Sequence, residues 1–414
     1  MVAPFLPDAE KLAAVRDALP ALSAGIYLNT GSAGPLPAET AAAMAEMTDY
    51  ELRLGRSHDD YFQAFLERLA EARGAVAAVI GAEVDSVAIS HSTSQAMNLA
   101  VWSVELRPGD RIVTTSAEHP GGLGPVVVAG RRFGADVVAA DIGNGGDDQR
   151  TLAALDAAIV PGTRLVAVSH VLWTTGARLP IRAIAELAHA RGAVVAVDGA
   201  QAVGAIPVSV ADLGVDYYAV PGQKWLLGPE GTGALWVSPE VIERALPSVA
   251  SWFTFERITS PADALLWPNA RRFDDTNFYK PGVVGLARSC GWLSMYVGLP
   301  WIHERGQAMA ARAAHRLATI PGVELLTPTD QMATLVTFRI AGWGALEALD
   351  ELSSRTFAVA RTIPQLDAIR LSVGFFTTEA EIERVASTIE LIAAHTPASL
   401  PPRTRLTILG QGDG

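Results

Sequence analysis

Short apolar runs alternate with helical patterns through the middle of the chain, and this alternation restricts the possible folds more than any other feature. Helical patterns, for example over residues 180–191, separate five runs with the length and composition of buried strands: residues 111–115, 136–140, 164–169, 193–197 and 217–220. Strands connected by helices run parallel, with the helices on both faces of the sheet. The sequence therefore predicts an α/β fold with a mostly parallel sheet, to which residues 231–237 add a further strand.

An acidic residue and a lysine follow two strands of this predicted sheet. Asp198 comes directly after the run 193–197, and Lys224 lies four residues beyond the run 217–220. The carboxyl ends of parallel strands border ligand crevices. A lysine can bind an aldehyde cofactor through a Schiff base and a carboxylate can keep a pyridine nitrogen protonated, so the pair predicts a pyridoxal phosphate (PLP) site. Taken singly, Asp198 is equally typical of a strand-end turn and Lys224 of a solvated surface.

Hydroxyl groups cluster where a short strand at residues 86–89 is followed by a helical pattern. The segment 90–98 has the sequence SHSTSQAMN, and Thr93 and Ser94 lie at the start of the helix. Free backbone N–H groups at a helix N-terminus, together with hydroxyls, bind anions. We therefore expect Thr93 and Ser94 to bind the cofactor phosphate. Serine and threonine caps are also common without a ligand, so this assignment depends on Asp198 and Lys224.

From residues 27–31 to residues 370–372, the chain resembles the class V aminotransferases, a family of fold-type I PLP enzymes. The motifs that carry the resemblance are AVDGAQ at 196–201, PGQKW at 221–225 and GPEGTG at 228–233. The similarity is strongest to the branch of isopenicillin N epimerase-like proteins and cysteine C–S lyases, and weaker to cysteine desulfurases. It implies a large PLP-binding domain with a mostly parallel seven-stranded sheet, and a smaller C-terminal α/β domain.

The resemblance implies roles in cofactor binding and catalysis for four residues. Lys224 corresponds to the Schiff-base lysine, which then serves as acid–base catalyst, and Asp198 corresponds to the partner of the pyridinium nitrogen. Gln201 corresponds to the residue that hydrogen-bonds the phenolic oxygen of the cofactor. His119 corresponds to the residue that stacks on the ring, where an imidazole can also shuttle protons. The less favoured alternative for His119 is an ordinary histidine at the start of a helix.

The resemblance also implies residues for the substrate and for a second subunit. Arg370 corresponds to the arginine that binds the carboxylate of an amino-acid substrate, which a guanidinium can hold with two parallel hydrogen bonds. Arg361 is a second candidate, with a surface ion pair as its alternative, and Asn29 is a third substrate-binding residue. Thr276 corresponds to a phosphate contact donated by the neighbouring subunit. We therefore expect a homodimer with the active site at the subunit interface.

Four positions depart from the pattern of related proteins. Many relatives have Ser or Thr two residues before the lysine and His directly before it, where this chain has Gly222 and Gln223. Gln223 can still contact the cofactor or its phosphate through its amide. Desulfurases have an asparagine at the position of Trp173, which is similar to the epimerase and lyase branch and is expected at the cofactor. They also have a glycine at the position of Asp275, which the sequence does not explain.

The chain has a single cysteine, Cys290, in an apolar segment. A desulfurase transfers sulfur to its own thiolate, and the catalytic loop of that family corresponds roughly to residues 341–362, which contain no cysteine. We therefore expect that this enzyme is not a persulfide-forming cysteine desulfurase. One cysteine also excludes a disulfide framework and a cysteine-rich zinc site, and no metal is expected.

The length of 414 residues, half of them hydrophobic, is sufficient for two domains with large cores. We expect an N-terminal segment at 1–25 that packs with the small domain and a large PLP-binding domain at 26–283. A linker helix at 284–297 then begins the small domain, which spans 284–414 and ends in a Pro/Gly-rich tail that is expected to be partly mobile.

The net charge of −12 predicts a small-molecule partner rather than nucleic acid or an anionic membrane surface. The first nine residues lack the basic and apolar regions of a secretory signal, and no apolar run approaches about 18 residues. A cytoplasmic location is therefore expected.

The predicted site acts at the α-carbon of an amino acid but leaves the reaction open. C–S lyase chemistry by β-elimination, or transamination, is favoured over epimerisation of the isopenicillin N epimerase type. A non-catalytic scaffold on the same fold is the remaining alternative, which the full set of site residues opposes. The candidates for selecting the substrate side chain are Arg56, His58, Trp252 and Phe253.

Overall fold

The computed structural model of the protein describes residues 6–403. Its strands are β1 Ile26–Tyr27, β2 Val87–Ser90, β3 Arg111–Thr115, β4 Asp136–Ala140, β5 Thr163–Ser169, β6 Val194–Asp198, β7 Tyr217–Pro221, β8 Gly233–Val237, β9 Phe255–Ser260, β10 Asp263–Leu266, β11 Val323–Leu325, β12 Leu335–Ile340, β13 Ala358–Val359, β14 Arg361–Ile363 and β15 Ala368–Ser372. Its α-helices are α1 Asp8–Asp17, α2 Ala38–Leu54, α3 Asp59–Ile80, α4 Thr93–Trp102, α5 Pro120–Phe133, α6 Asp148–Ala158, α7 Ile181–His189, α8 Val210–Leu213, α9 Pro239–Ile242, α10 Lys280–Gly291, α11 Leu299–Ala318, α12 Ala345–Thr356 and α13 Glu379–Ala393.

The central sheet has seven strands in the order β2-β8-β7-β6-β5-β3-β4. Strands β3 to β7 pair in parallel, whereas β8 is antiparallel to both of its neighbours. Every residue of β2, β7 and β8 is buried, as expected for strands covered by helices on both faces. The predicted fold-type I α/β architecture with a mostly parallel seven-stranded sheet is therefore confirmed.

The sheet brings the predicted site residues to one edge. Strands β3, β5, β6 and β7 run in the same direction, so the segments that follow them leave from the same end of the sheet. These segments carry His119 after β3, Trp173 after β5, Asp198 at the last position of β6 and Lys224 after β7. Strand β2 also runs in this direction and leads into α4, which begins at Thr93.

A second sheet, antiparallel and four-stranded, has the order β11-β12-β15-β14. Its apolar face forms a separate core with α11, α12 and α13. Its strands β11 and β14 have three residues each, too few to be recognised from their composition. The sheet contacts the carboxyl edge of the central sheet, where Thr337 Oγ1 donates to Thr174 O at 2.7 Å and Arg370 Nη1 donates to Trp173 O at 2.7 Å. The predicted site therefore lies between the two sheets.

The N-terminal segment contacts both cores. Val15 lies in the core of the central sheet, whereas Ile26 and Leu28 belong to the core of the second sheet. Arg16 forms an ion pair of 2.8 Å with Glu381 of α13. The boundaries 1–25, 26–283 and 284–414 therefore remain a proposal for how the chain divides.

The helix expected at residues 284–297 has a different form. Helix α10 begins earlier, at Lys280, and the six residues Trp292–Val297 form a π-helical segment before α11 begins. Trp292 and Leu293 on this segment are buried in the main core. Within residues 6–403, no helix is long and apolar enough to cross a membrane. Most of the tail that was expected to be mobile, from residue 404 onward, lies outside the described residues.

Candidate active site

Two glycines at the start of α5 lie between the hydroxyl of Ser94 and the carboxylate of Asp198. A Cβ atom at Gly121 would lie 2.6 Å from Ser94 Oγ, and one at Gly122 would lie 3.1 Å from Asp198 Oδ2. Glycine therefore allows the α5 backbone to approach both groups. Asp198 is 4% exposed, and its Oδ1 accepts a hydrogen bond from Ala200 N at 2.8 Å. The predicted phosphate and pyridine-nitrogen contacts thus lie against the first turn of the same helix.

The pKa of the Lys224 amine lies close to neutral pH. Burial lowers the pKa of Lys224 to about 8; Asp198 opposes this shift, and the positive charges of Arg370 and Arg361 add to it. At pH 7, roughly one amine in ten is then unprotonated and able to act as a nucleophile or base. The chain around Lys224 is fixed by Gly34, whose N–H donates to Gln223 O at 2.7 Å.

The imidazole of His119 is held in one tautomer. His119 is the N-cap residue of α5, and its Nδ1 accepts a hydrogen bond from Gly121 N at 3.0 Å. In the neutral ring the proton therefore resides on Nε2. Burial lowers the pKa of His119, and the charge of Lys224 adds to this effect, which favours the neutral form. The ring of Trp173 packs edge to face against it, with 5.0 Å between centroids.

Arg370 is an unpaired buried cation with free donors. It is 0% exposed, donates from Nη1 to Trp173 O, and has no hydrogen-bond partner for Nε or Nη2 within residues 6–403. The buried hydroxyls of Ser372 and Thr30 likewise lack partners there. Burial lowers the pKa of Arg370 to about 9, and Arg361 adds to this shift, so the guanidinium remains charged at neutral pH. Such a group needs an anion, and a substrate carboxylate fits it.

Gly31 lies beside the free Nη2 of Arg370 and the hydroxyl of Ser372. A Cβ at Gly31 would lie 2.8 Å from Gln201 Oε1, 2.8 Å from Ser372 Oγ and 3.0 Å from Arg370 Nη2. Any side chain at this position would therefore occupy the space beside the free guanidinium nitrogen. We name the group Arg370, Ser372, Thr30 and Gly31 the carboxylate cup.

Arg361 and Asn29 lie beside the carboxylate cup. Arg361 Nη1 donates to Ser32 Oγ at 3.2 Å, and that hydroxyl donates to Asn29 Oδ1 at 2.8 Å. The guanidinium of Arg361 also lies over the ring of Trp173, 5.7 Å from its centroid. The carboxamide oxygen of Asn29 is therefore linked to Arg361 through Ser32.

The two glutamines predicted at the cofactor differ in their surroundings. Gln201 donates from Nε2 to Gly31 O at 2.9 Å and accepts from Trp225 Nε1 at 3.0 Å, which leaves one N–H of its amide free. The side-chain amide oxygen of Gln223 is buried without a partner among the described residues. The side chain of Gln223 therefore has unused hydrogen-bonding capacity, as a ligand contact requires.

The expected phosphate residues lie on two adjacent segments. Thr93 is the first residue of α4, but the helix is capped by Ser92, whose Oγ accepts from Gln95 N at 3.1 Å. Asp275, unexplained by the sequence, accepts from Gln95 Nε2 at 3.3 Å and from Thr276 N at 2.7 Å. Asp275 therefore fixes the turn carrying Thr276 against the start of α4.

The candidates for side-chain selection lie on the surface. Trp252 and Phe253 stack with Phe62 of α3 at centroid distances of 5.5 and 6.3 Å. Trp252 is 62% exposed, and Arg56 and His58 in the turn before α3 are exposed as well. Phe253 is half-buried, and no hydrogen bond or ion pair among the described residues links these candidates to Lys224.

Sequence reasoning missed part of the carboxylate cup and one buried acid. Ser372 lies two residues beyond Arg370 on β15, and Thr30 follows Asn29, so alternation along the strand could have suggested Ser372. Glu118 directly precedes His119 and accepts hydrogen bonds from Thr115 Oγ1 and Ser169 Oγ. Its position beside a candidate catalytic histidine was the available signal.

The site combines a half-buried lysine, an aspartate at a strand end, two glycines at the start of α5 and an arginine with unpartnered donors among the described residues. The unpartnered donors and the glycine cradle fit PLP and an amino-acid carboxylate. The fold and these residues define a PLP-dependent enzyme of fold type I. The profile of the family "Aminotransferase class-V" matches residues 26–385, and the chain belongs to this family.

Similar proteins carry out more than one reaction. The chain is 31% identical to isopenicillin N epimerase of Streptomyces clavuligerus over 389 residues, covering 89% of this chain and 94% of that protein. It is 28% identical to a probable cysteine desulfurase of Methanothermobacter thermautotrophicus over 396 residues, covering 92% and 97%. A structure of C-DES with glycine covalently linked to the PLP cofactor has a TM-score of 0.86 at 25% identity, covering 93% of this chain and 99% of that one. C-DES is described as a cystine C–S lyase.

Proposed function

We propose that this enzyme is a C–S lyase that eliminates the sulfur substituent from the β-carbon of an amino acid. Action at the α-carbon is supported by the pairing of a carboxylate cup around Arg370 with a Lys224 amine whose pKa is lowered to about 8. The cup fixes the α-carboxylate, and the amine is the base available for the α-proton. The similarity to the cystine C–S lyase C-DES supports this choice.

PLP supplies an electron sink for the bond that breaks at the α-carbon. In this chain Lys224 would hold it covalently, Asp198 would bind its ring nitrogen and His119 would cover its ring. Thr93 and Ser94 would bind its phosphate at the start of α4, where free N–H groups point outward.

Two residues would move protons in the proposed reaction. Lys224, when it is not bound to the cofactor, would be the base that removes the α-proton of the substrate. Cleavage of the C–S bond would release its electron pair with sulfur as a thiol or persulfide, and addition of water to the remaining unsaturated amino acid would yield pyruvate and ammonia. His119, with its proton on Nε2, would donate to the departing sulfur. Trp173 packs edge to face against His119.

The sulfur leaves with the product rather than on the enzyme. Cys290 is 0% exposed and lies within the main core, and burial raises the pKa of Cys290 to about 12. A thiol that is neutral at physiological pH and packed on all sides does not attack a substrate sulfur. We infer that this chain does not form a cysteine persulfide of its own, unlike a desulfurase.

We also infer a homodimer in which Thr276 contacts the phosphate at the neighbouring active site. The buried ion pair between Arg73 and Asp274, with 2.6 Å between Nη2 and Oδ2, anchors the turn that presents Thr276. Light scattering during size-exclusion chromatography tests the dimer. Restored activity on mixing a Lys224→Ala protein with a Thr276→Ala protein tests the shared site.

The test of the reaction is product analysis on purified holoenzyme with cystine, cysteine, S-substituted cysteines and non-sulfur amino acids. Pyruvate together with thiol or persulfide supports the C–S lyase. A keto acid that retains the substrate side chain, with conversion of the cofactor to its amine form, establishes transamination instead, and the D-enantiomer as product establishes epimerisation.

Two variants provide controls. Lys224→Ala should abolish both the visible absorption of the bound cofactor and turnover, whereas Lys280→Arg, at another of the few lysines, should retain both. Cys290→Ala should retain turnover, and loss of sulfur release in Cys290→Ala would contradict the proposal.

A further inference from the structure

Glu118 is a half-buried acid beside the active site, and no reaction step above uses it. Its Oε1 lies 2.6 Å from Thr115 Oγ1 at the end of β3, and its Oε2 lies 2.5 Å from Ser169 Oγ at the end of β5. The next residue in the chain is His119. Glu118 therefore ties the turn that carries His119 to two strands of the central sheet.

The surroundings of Glu118 contain no cation that pairs with it. Within residues 6–403, its hydrogen-bond partners are hydroxyl groups, and none of the ion pairs involves Glu118. The charged group that acts on Glu118 is another acid, Asp198, which pairs with Ser169 between strands β5 and β6. An ionised carboxylate here would be partly desolvated, without a cationic partner among the described residues and close to a like charge, which is unfavourable.

We propose that Glu118 is a positioning residue that acts as a neutral carboxylic acid, fixing the His119 turn without adding a second negative charge beside Asp198. A neutral acid donates one hydrogen bond and accepts another, and the hydroxyls of Ser169 and Thr115 can each serve in either role. Asp198 then remains the single carboxylate for a pyridinium nitrogen. This inference rests on the proposed function, because it assigns Asp198 to the PLP ring.

The proton on Glu118 can exchange with solvent. Glu118 lines an open cavity between the two sheets, together with Trp173, Asn144, Arg339 and Glu324. Burial raises the pKa of Glu118 to about 7, and Asp198 adds to this rise, although the hydrogen bonds from Ser169 and Thr115 oppose it.

Charged groups lie on both sides of Glu118. Asp198 and His119 lie on the site side, and the Glu324–Arg339 ion pair of 3.3 Å lies across the cavity. Burial lowers the pKa of His119, which favours its neutral form, and the pKa of Lys224 is lowered to about 8. Ionisation of Glu118 is therefore the change in charge expected at this cavity wall near pH 7, whereas Lys224 loses its charge at higher pH.

The first measurement needs no cofactor. Infrared difference spectra of the apoprotein between wild type and Glu118→Gln should contain the carbonyl band of a protonated carboxyl at about pH 6, and this band should be lost as the pH rises through about 7. Glu324→Gln, at an exposed acid on the same cavity, is the matched control and should remove no such band. The absence of a Glu118 carbonyl band at pH 6 would overturn the proposal.

The second measurement uses holoenzyme at a series of pH values. Glutamine reproduces the donor and acceptor of the neutral acid, so Glu118→Gln and wild type should have the same kcat below neutrality, within about threefold, and diverge above pH about 7. Glu118→Ala should lose about tenfold or more in kcat with little change in KM, because His119 loses its anchor.

The two measurements separate failure of this inference from failure of the proposed function. Parallel pH profiles of wild type and Glu118→Gln, or equal losses in the Gln and Ala variants, would overturn the role of Glu118 while cofactor absorption and turnover persist. Absence of cofactor absorption in wild type would instead overturn the PLP site itself.

Discussion

Replacing Arg370 with methionine should separate the stability of the protein from its function. Arg370 is fully buried, and only Nη1 has a protein partner, while Nε and Nη2 have none among the described residues. Exchanging a buried, unpaired charge for an apolar side chain of similar volume gains about 1–4 kcal/mol. The same change leaves Trp173 O without its donor, which costs about 1–3 kcal/mol. The free energy of unfolding of Arg370→Met should therefore lie between about 2 kcal/mol below and about 3 kcal/mol above that of wild type.

The effect on substrate recognition should be much larger. The two free nitrogens would each donate a charge-assisted hydrogen bond to the substrate carboxylate, worth about 1.5–3 kcal/mol apiece. Their loss amounts to about 3–6 kcal/mol, which is a decrease of roughly 10²- to 10⁴-fold in kcat/KM. The amino-acid concentration that gives half of the maximal change in cofactor absorption should rise as kcat/KM falls. The cofactor absorption itself should remain, because Arg370 does not hold PLP in the proposed site.

Arg272 provides the matched control, because it is also buried but fully partnered. Its guanidinium donates to three backbone oxygens, those of Trp267 at 2.8 Å, Ile242 at 2.7 Å and Ala245 at 3.1 Å. Arg272→Met should lower the free energy of unfolding by about 3 kcal/mol or more, since three carbonyls lose a charged donor. Urea unfolding of the apoproteins measures both variants. Equal destabilisation by the two substitutions, or a loss below tenfold in kcat/KM for Arg370→Met, would refute the reasoning.

Three further predictions concern space, pH and the buried ion pair. Gly31→Ala should reduce kcat/KM by at least tenfold, because its methyl group enters the carboxylate cup, whereas Gly74→Ala in α3, with nothing within 4 Å, should raise unfolding stability by about 0.5–1 kcal/mol. The hydrogen bond to Asp216 raises the pKa of His189. Its contribution to stability, below about 1 kcal/mol at this exposed site, is fully present below pH about 6.5 and is lost as pH rises through the folded pKa. His189→Asn should therefore lower the free energy of unfolding in acid but not near pH 9, which urea unfolding at a series of pH values measures. Asp274→Asn should lower unfolding stability by about 3–5 kcal/mol, because it leaves a buried arginine unpaired, and a change below 1 kcal/mol would contradict this.

Sequence patterns predicted the central sheet well because buried parallel strands are continuous apolar runs. The run ending at Asp198 and the segment before Lys224 have this character, and the rule that ligands bind at carboxyl ends placed both residues together. The short strand that begins at Arg361 has no such run, and its pairing depends on β15. The hairpin β9–β10 is mostly exposed, so no burial pattern marks it.

The details of the site depend on contacts between distant segments, which no local pattern records. Asp275 had no interpretation in the sequence, because its partner Gln95 is 180 residues away. Ser372 belongs to the carboxylate cup only because β15 passes beside the turn at Gly31. Arg370 was predicted from a resemblance, but its unpaired state follows only from the packed structure.

The residues that make this a PLP site do not select its reaction. In the proposed reaction Lys224, Asp198 and Arg370 would act on the cofactor and on the α-carbon, which elimination, transamination and epimerisation share. Selection between these outcomes requires groups that reach the β-carbon or the opposite face, and we propose His119 as a proton donor there. The turn that carries His119 is anchored by Glu118, so the ratio of products, as well as the rate, should depend on pH differently in wild type and in Glu118→Gln. A product ratio that is constant with pH while kcat changes would place the selecting group elsewhere.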